Sequence, residues 1–171
     1  MINTDVAIAP SIEGCIVASV RCLELASRFV ESGGAFSAIG PHLRHCLDHI
    51  SCFAKGLPTG VIEYDARERD PRMESEFKYF HDACKASIDM LATLDAAALT
   101  RVVHVRQIPA PGRAQVTVQS SVERELLFLS GHTVHHCAII TQIAQANGIA
   151  LCADHAVAFS TAAHFSRTTD R

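Results

Sequence analysis

The chain has no tryptophan, only three lysines (Lys55, Lys78 and Lys85), and no apolar stretch near the roughly 18 residues that a membrane-spanning helix requires. Each shortage removes a class of function. With 15 lysines plus arginines against 18 acidic residues, a net charge of -3, there is no basic stripe to follow a phosphate backbone, so no nucleic-acid partner is expected. The opening Met1-Ile2-Asn3-Thr4-Asp5 lacks the basic start of a signal peptide, and the expectation is a soluble, cytoplasmic protein with no membrane association. Seven cysteines (Cys15, Cys22, Cys46, Cys52, Cys84, Cys137 and Cys152) are odd in number and form no C-x-x-C pair. That pattern argues against a disulfide framework or a cysteine zinc site, and the thiols read as reduced, mostly buried small hydrophobes. E-x-x-H, H-E-x-x-H, G-x-S-x-G, the P-loop and the dinucleotide fingerprint are all missing. Carboxylate-bridged di-iron sites, the common zinc-protease helix and nucleotide-dependent chemistry are thereby unsupported. Histidine, with ten residues, is what the chain has in excess.

Of the 171 residues, 49% are hydrophobic, enough for one domain with a sizeable core, placed at residues 11–165 with loose ends at 1–10 and 166–171. Ile12, Ile16, Leu23, Ala26 and Val30 recur at helical spacing and predict a helix over 11–32, stopped by Gly33-Gly34. A second helix is expected from Ser37 as N-cap to Lys55, admitting Pro41 in its first turn, with Gly56-Leu57-Pro58 as terminator. Residues 59–69 read as a polar loop. Asp70-Pro71 then opens a third helix ending near Leu99, with Phe77, Phe80, Cys84, Ile88 and Leu91 along one side. Residues 101–107 and 115–119 are rich in β-branched side chains and flank Pro109-Ala110-Pro111-Gly112, which predicts a hairpin insertion rather than a sheet core. Ser120-x-x-Glu123 is a capping box for the longest helix, closed by Asn147-Gly148, and a short helix is expected near 160–164. The fold class is all-α: a four-helix bundle with a small β-hairpin insertion before the last long helix.

Within that last helix, His132 and His136 stand four residues apart, so their β-carbons lie about 5–6 Å from each other on one face. A helical step places them on one apolar face with Val122, Glu125, Leu129, Ile139, Ile140 and Ile143, while His135 falls on the flank. Two inward imidazoles side by side leave several ring nitrogens to satisfy, and one metal ion takes a nitrogen from each. The third ligand must come from another segment. His42, His45 and His49 share about one quadrant of the second helix, and the apolar centre at Leu43, Leu47, Ile50 and Ala54 puts His42 and His49 nearer the core. Glu125, two turns before His132, is the notable inward carboxylate: a general base, a group orienting a histidine, or a structural ion pair with Arg44 or Arg67. Cys46 and Cys137 adjoin these histidines in sequence but point away from them, and read as packing.

Ala38-Ile39-Gly40-Pro41-His42-Leu43-Arg44-His45, followed far downstream by His132-x-x-His135-His136, resembles the DinB-like (YfiT-like) metal-binding four-helix bundles. The resemblance runs from about residue 11 to 165. It implies a divalent metal, zinc or nickel, held by His45, His132 and His136, with His49 as reserve ligand. Many members of that family have a glutamine three residues after the final histidine, where this chain has Ile139. The block Ile62-Glu63-Tyr64-Asp65-Ala66-Arg67-Glu68-Arg69-Asp70 looks like a subgroup feature, placed to cover a pocket or touch substrate.

Three neutral nitrogens leave a coordination position open, as in catalytic zinc sites, where the ion lowers the pKa of a bound water toward about 7 or holds a thiolate ready as nucleophile. The resemblance implies two such uses, a thiol-type transferase or a hydrolase of a small-molecule substrate; Glu125, inward by helical phase, is expected to assist. It also implies a homodimer paired through an exposed helix face. The alternative is a non-catalytic metal-binding or stress-response bundle in which the metal is structural.

Overall fold

The computed structural model describes residues 8–151 and 157–169. In chain order the elements are α1 (Pro10–Glu31), α2 (Gly40–Gly56), β1 (Val61–Glu63), α3 (Arg72–Ser75), α4 (Phe77–Ala92), α5 (Ala96–Leu99), β2 (Val102–Gln107), β3 (Val116–Ser121), α6 (Val122–Ala146) and α7 (Phe159–Thr169). A single 3-10 turn, Phe36–Ala38, leads into α2. α1, α2, α4 and α6 form the bundle, and the all-α class with a small β insertion stands.

α1 accepts Pro10 in its first turn, where the missing N–H has no helical partner to lose, and ends where Gly33 takes φ 86°. α2 starts at Gly40 because of a close approach. A β-carbon there would fall 2.1 Å from the backbone oxygen of Glu74, so only glycine lets α3 lie against the head of α2. The N-cap expected at Ser37 is taken instead by Ile39, since Phe36–Ala38 is already wound as a 3-10 turn.

The interior is filled by Leu25, Phe29, Leu43, Ile50, Phe53, Phe80, Leu91, Leu126 and Leu129, all essentially inaccessible. Every bundle helix also sends thiols inward: Cys15 and Cys22 from α1, Cys46 and Cys52 from α2, Cys84 from α4 and Cys137 from α6, with the Cys22 and Cys137 sulfurs 3.6 Å apart. The six described cysteines are all free and buried, as expected from their spacing. α6 packs most extensively on α1. Ser130 donates to the Gly14 carbonyl at 3.2 Å across that seam, while Ser19 and Thr141 donate to carbonyls one turn back in their own helices. Their hydroxyls are therefore satisfied in the core. This seam rotates the buried face of α6 toward Leu126, Ser130, Thr133, Cys137, Thr141 and Ala144, so His132 and His136 stand at its border facing α2, not at its centre.

Three expectations are corrected. Residues 59–69 are not simply a loop, because β1 pairs in parallel with β2, in the register Val61↔His104, Ile62↔Val105 and Glu63↔Arg106. The hairpin β2–β3 thereby becomes a three-stranded sheet whose Ile62, Val103 and Val105 are buried against the bundle. The third helix is also broken: Glu76 is extended (φ -115°, ψ 98°) between α3 and α4, and α4 ends at Ala92, short of a separate turn, α5, capped by Asp95. Finally, the N-cap of α6 is Ser121, whose hydroxyl accepts from the Arg124 N–H.

α7 continues through residues 166–169 and is held to α1 by Arg21, which donates to the Val157 carbonyl and lies 4.7 Å over the Phe159 ring. Most of the loose start expected at 1–10 and the loop expected after Cys152 fall at residues 1–7 and 152–156, outside the described residues. No described helix is long and apolar enough to cross a membrane.

Candidate metal centre

The bundle brings together the second-helix and sixth-helix histidines that the sequence separates by more than eighty positions. The ring of His45 on α2 lies 4.9 Å from that of His132 and 4.8 Å from that of His136, and the His132 and His136 rings are 4.7 Å apart. One nitrogen from each of the three falls within 4.8 Å of the others, a set able to hold a metal ion, and among the described residues this is the one such group. His132 Nε2 is buried and has no hydrogen-bond partner. An orphaned imidazole nitrogen inside a histidine cluster is uncommon in a finished core, and it fits a site completed by an ion.

The three rings are poised in the ligating form. Burial, with the neighbouring imidazoles second, pushes His45 down to about 3, and the same causes push His132 and His136 to about 4. The positive charge of Arg67 adds to the effect on His45 and His132. Metal ligation requires neutral imidazole, so protons do not compete for the site near neutrality. A stability consequence follows for the metal-free protein. These groups bind protons in the unfolded chain below about 6.5 but not in the native state until about 3–4, so stability is full above pH 6.5 and declines as pH falls through that window. Thermal melts of metal-free protein between pH 7 and pH 4 should show a falling midpoint, and a His45→Gln/His132→Gln/His136→Gln variant should show a shallower fall; equal slopes would contradict the assignment.

Around the triad stand partners that fix its rings. His42, on the first turn of α2, approaches His136 Nδ1 to Nδ1 at 3.1 Å. Phe128 stacks on His132, with centroids 5.5 Å apart and planes 25° from parallel. Tyr64 stacks on His49 and also meets Phe128, so two aromatic rings wall the cluster toward the sheet. His135 is exposed, on the flank of α6.

His49 is buried beside the triad but outside it. Its Nδ1 donates to the His45 carbonyl at 2.8 Å and its Nε2 accepts from Arg67 Nη1 at 3.2 Å, so both nitrogens are committed. Glu125 is fully buried, as a carboxylate on the inward face of α6, yet it pairs with neither Arg44 nor Arg67. Arg44 binds Asp48 and Glu74 instead. Glu125 accepts from Tyr64 (2.8 Å), Ser120 (2.6 Å) and Arg124 (2.9 Å), none of them a histidine. Tyr64 in turn is held protonated, its pKa raised by burial and by the Glu125 charge. The carboxylate borders a cavity of about 270 Å³ on the sheet side, lined also by Val105, Ser120, Arg124 and Phe128.

Tyr64, Phe128 and Ser120 are the neighbours that sequence reading missed. Tyr64 belongs to the block 62–70 read as a pocket cover or substrate contact, Ser120 carries a capping signal that hides its bond to Glu125, and Phe128 is signalled only as the aromatic one turn before His132.

The model of the DinB superfamily matches residues 18–140, from within α1 through most of α6 and across all three triad histidines. The chain belongs to the DinB superfamily. No curated protein and no solved structure matches it. In this DinB chain the fold is the one the motif resemblance implied, His45, His132 and His136 lie close enough together that they could hold one ion, and Ile139, three residues after the last of them, is half-buried.

Proposed function

We propose that the protein binds one divalent ion, zinc or nickel, through His45, His132 and His136 and uses it in a thiol-type transferase or hydrolase reaction on a small molecule. The observation that carries this reading is the convergence of three neutral imidazoles with the His132 nitrogen left unsatisfied. An ion bound there supplies a Lewis-acid centre that polarises or activates a ligand atom in the remaining position. The chain's own groups do the rest: His42 orients the His136 ring, Phe128 and Tyr64 exclude water on the sheet side, and Glu125 positions Tyr64 through its hydrogen bond.

A structural site normally closes with four protein ligands. His49, the reserve ligand, and Glu125, the buried carboxylate of α6, are both engaged elsewhere, which favours the catalytic reading over a structural metal. The test is turnover. Zinc- and nickel-loaded protein, screened by mass spectrometry against low-molecular-weight thiols with electrophiles and against hydrolysable esters and amides, should give a product that disappears when the ion is chelated and returns when it is restored. Absence of any metal-dependent product, with a sharp loss of melting temperature on chelation, would favour the structural metal instead.

A further inference from the structure

The block 62–70 is unusually charged, and its charges are not left equally satisfied. Glu63 pairs with Arg106, Asp65 accepts from the Ile108 N–H at 2.6 Å, Glu68 pairs with Lys55, and Asp70 pairs with Arg72. Arg67 is different. Among the described residues no carboxylate lies within ion-pair distance of it, and its single side-chain bond runs from Nη1 to His49. Asp48 and Glu125, the buried acids nearest the histidines in the fold, are committed to Arg44 and to Tyr64, Ser120 and Arg124.

Arg67 Nε is buried with no acceptor. With Nη1 turned to His49, the unused side of the guanidinium is the Nε/Nη2 edge, the planar fork that matches a carboxylate with two parallel N–H bonds. The backbone that carries it is also held: Arg69, in the left-handed region at φ 54°, donates from Nη1 to the Arg67 carbonyl across the turn. Its contact, His49, has its ring 4.4 Å from that of His45 and 4.5 Å from that of His132. A guanidinium without a counter-charge therefore stands one imidazole away from a set of neutral ligands for a dication, and the local charge balance calls for an anion.

We propose that Arg67 is the anion-receiving residue of the histidine site, and that the small molecule bound there carries a carboxylate gripped by the Nε/Nη2 edge of Arg67. This rests on the metal-site reading above for the adjoining ion, and narrows the substrate to small organic anions. The Arg67→Met variant keeps most of the stem packing and removes fork and charge; Arg67→Lys keeps the charge and removes the fork.

The experiment uses acetate as probe and acetamide as its neutral counterpart, added to zinc-loaded protein. Binding is read by NMR from the Arg67 Nε–H signal in the wild type and from the His49 ring signals in the variants, after the zinc content of each has been measured. Acetate should shift the Arg67 signal saturably and acetamide should not. Its affinity should drop about tenfold or more in Arg67→Met, the value of one charge-assisted hydrogen bond, with Arg67→Lys in between. Equal affinity in wild type and Arg67→Met, or no saturable shift of the Arg67 signal, overturns the proposal. If the wild type takes up no zinc, the metal reading fails by itself. The same titration on that metal-free protein still decides for or against Arg67, by the presence or absence of the shift.

Discussion

Replacing His132 by alanine should leave a folded protein that no longer retains a divalent ion. Structural zinc sites are held by about 10–16 kcal/mol over four ligands, so one imidazole accounts for on the order of 3 kcal/mol, or roughly a hundredfold in affinity. His132 is the sharpest choice because its Nε2 has no other bond to lose. His136→Ala should behave alike. The exposed His135, next to it on α6, is the internal control, and His135→Ala should load as the wild type does. His42→Ala should fall between, since removing a group that orients a ligand typically costs about 10–100-fold in metal affinity. Elemental analysis of dialysed protein and competition with a chromogenic chelator give the order directly. If His132→Ala and His135→Ala retain the ion equally, the triad is a set of core histidines and nothing more.

The second large effect concerns stability. Glu125→Ala should destabilise the protein by about 3–5 kcal/mol, the combined cost of two hydroxyls left without their acceptor and of the void left by the side chain, with a midpoint lower by on the order of 10 °C for a chain of this length. The carboxylate is where three separate elements meet: the strand-end tyrosine after β1, Ser120 in β3, and the first turn of α6. Removing it leaves the Tyr64 hydroxyl buried without an acceptor and opens a void between sheet and bundle. The contact with Arg124 contributes little, because that side chain is largely exposed. Tyr64→Phe, which removes a single bond, should cost far less. Urea denaturation separates these outcomes, and a loss below about 1 kcal/mol for Glu125→Ala would show that the network is incidental.

The parts of this architecture that announce themselves in the sequence are those fixed by local periodicity and by end signals. The α6 histidine pair is legible because i and i+4 on a long patterned helix share a face, and the helix stops at Gly33-Gly34 and Asn147-Gly148 are legible because glycine there adopts a backbone other residues avoid. Non-local choices are what the sequence conceals. β1 is three residues long, and it is a strand because residues 104–106 offer it a partner. Ser120 has the capping-box glutamate three residues on and Ser121 has Arg124 there, yet Ser121 is the cap, because β3 runs to Ser121 and the Ser120 hydroxyl is given to Glu125. The rotation of the α6 stripe escaped because Ser130, Thr133 and Thr141 count as polar, although their hydroxyls bond helix carbonyls or lie buried at the seam with α1. His45 is the instructive case: apolar phase on α2 favours His42 and His49, and the structure places all three histidines at the cluster but gives His45 the free nitrogen, His49 being tied to a carbonyl and to Arg67.

The inward thiols have a practical meaning for the chemistry suggested above. Burial raises Cys15 and Cys84 to about 12, and the contact with Cys22 together with burial drives Cys137 up further, so these sulfurs stay protonated and unreactive while the bundle is closed. Alkylating reagents will therefore label them at the rate at which the native fold opens. That makes the six described thiols a clock for global unfolding, and in a Cys152→Ser variant it leaves a nearly silent background against which sulfur transfer to or from an added thiol can be read.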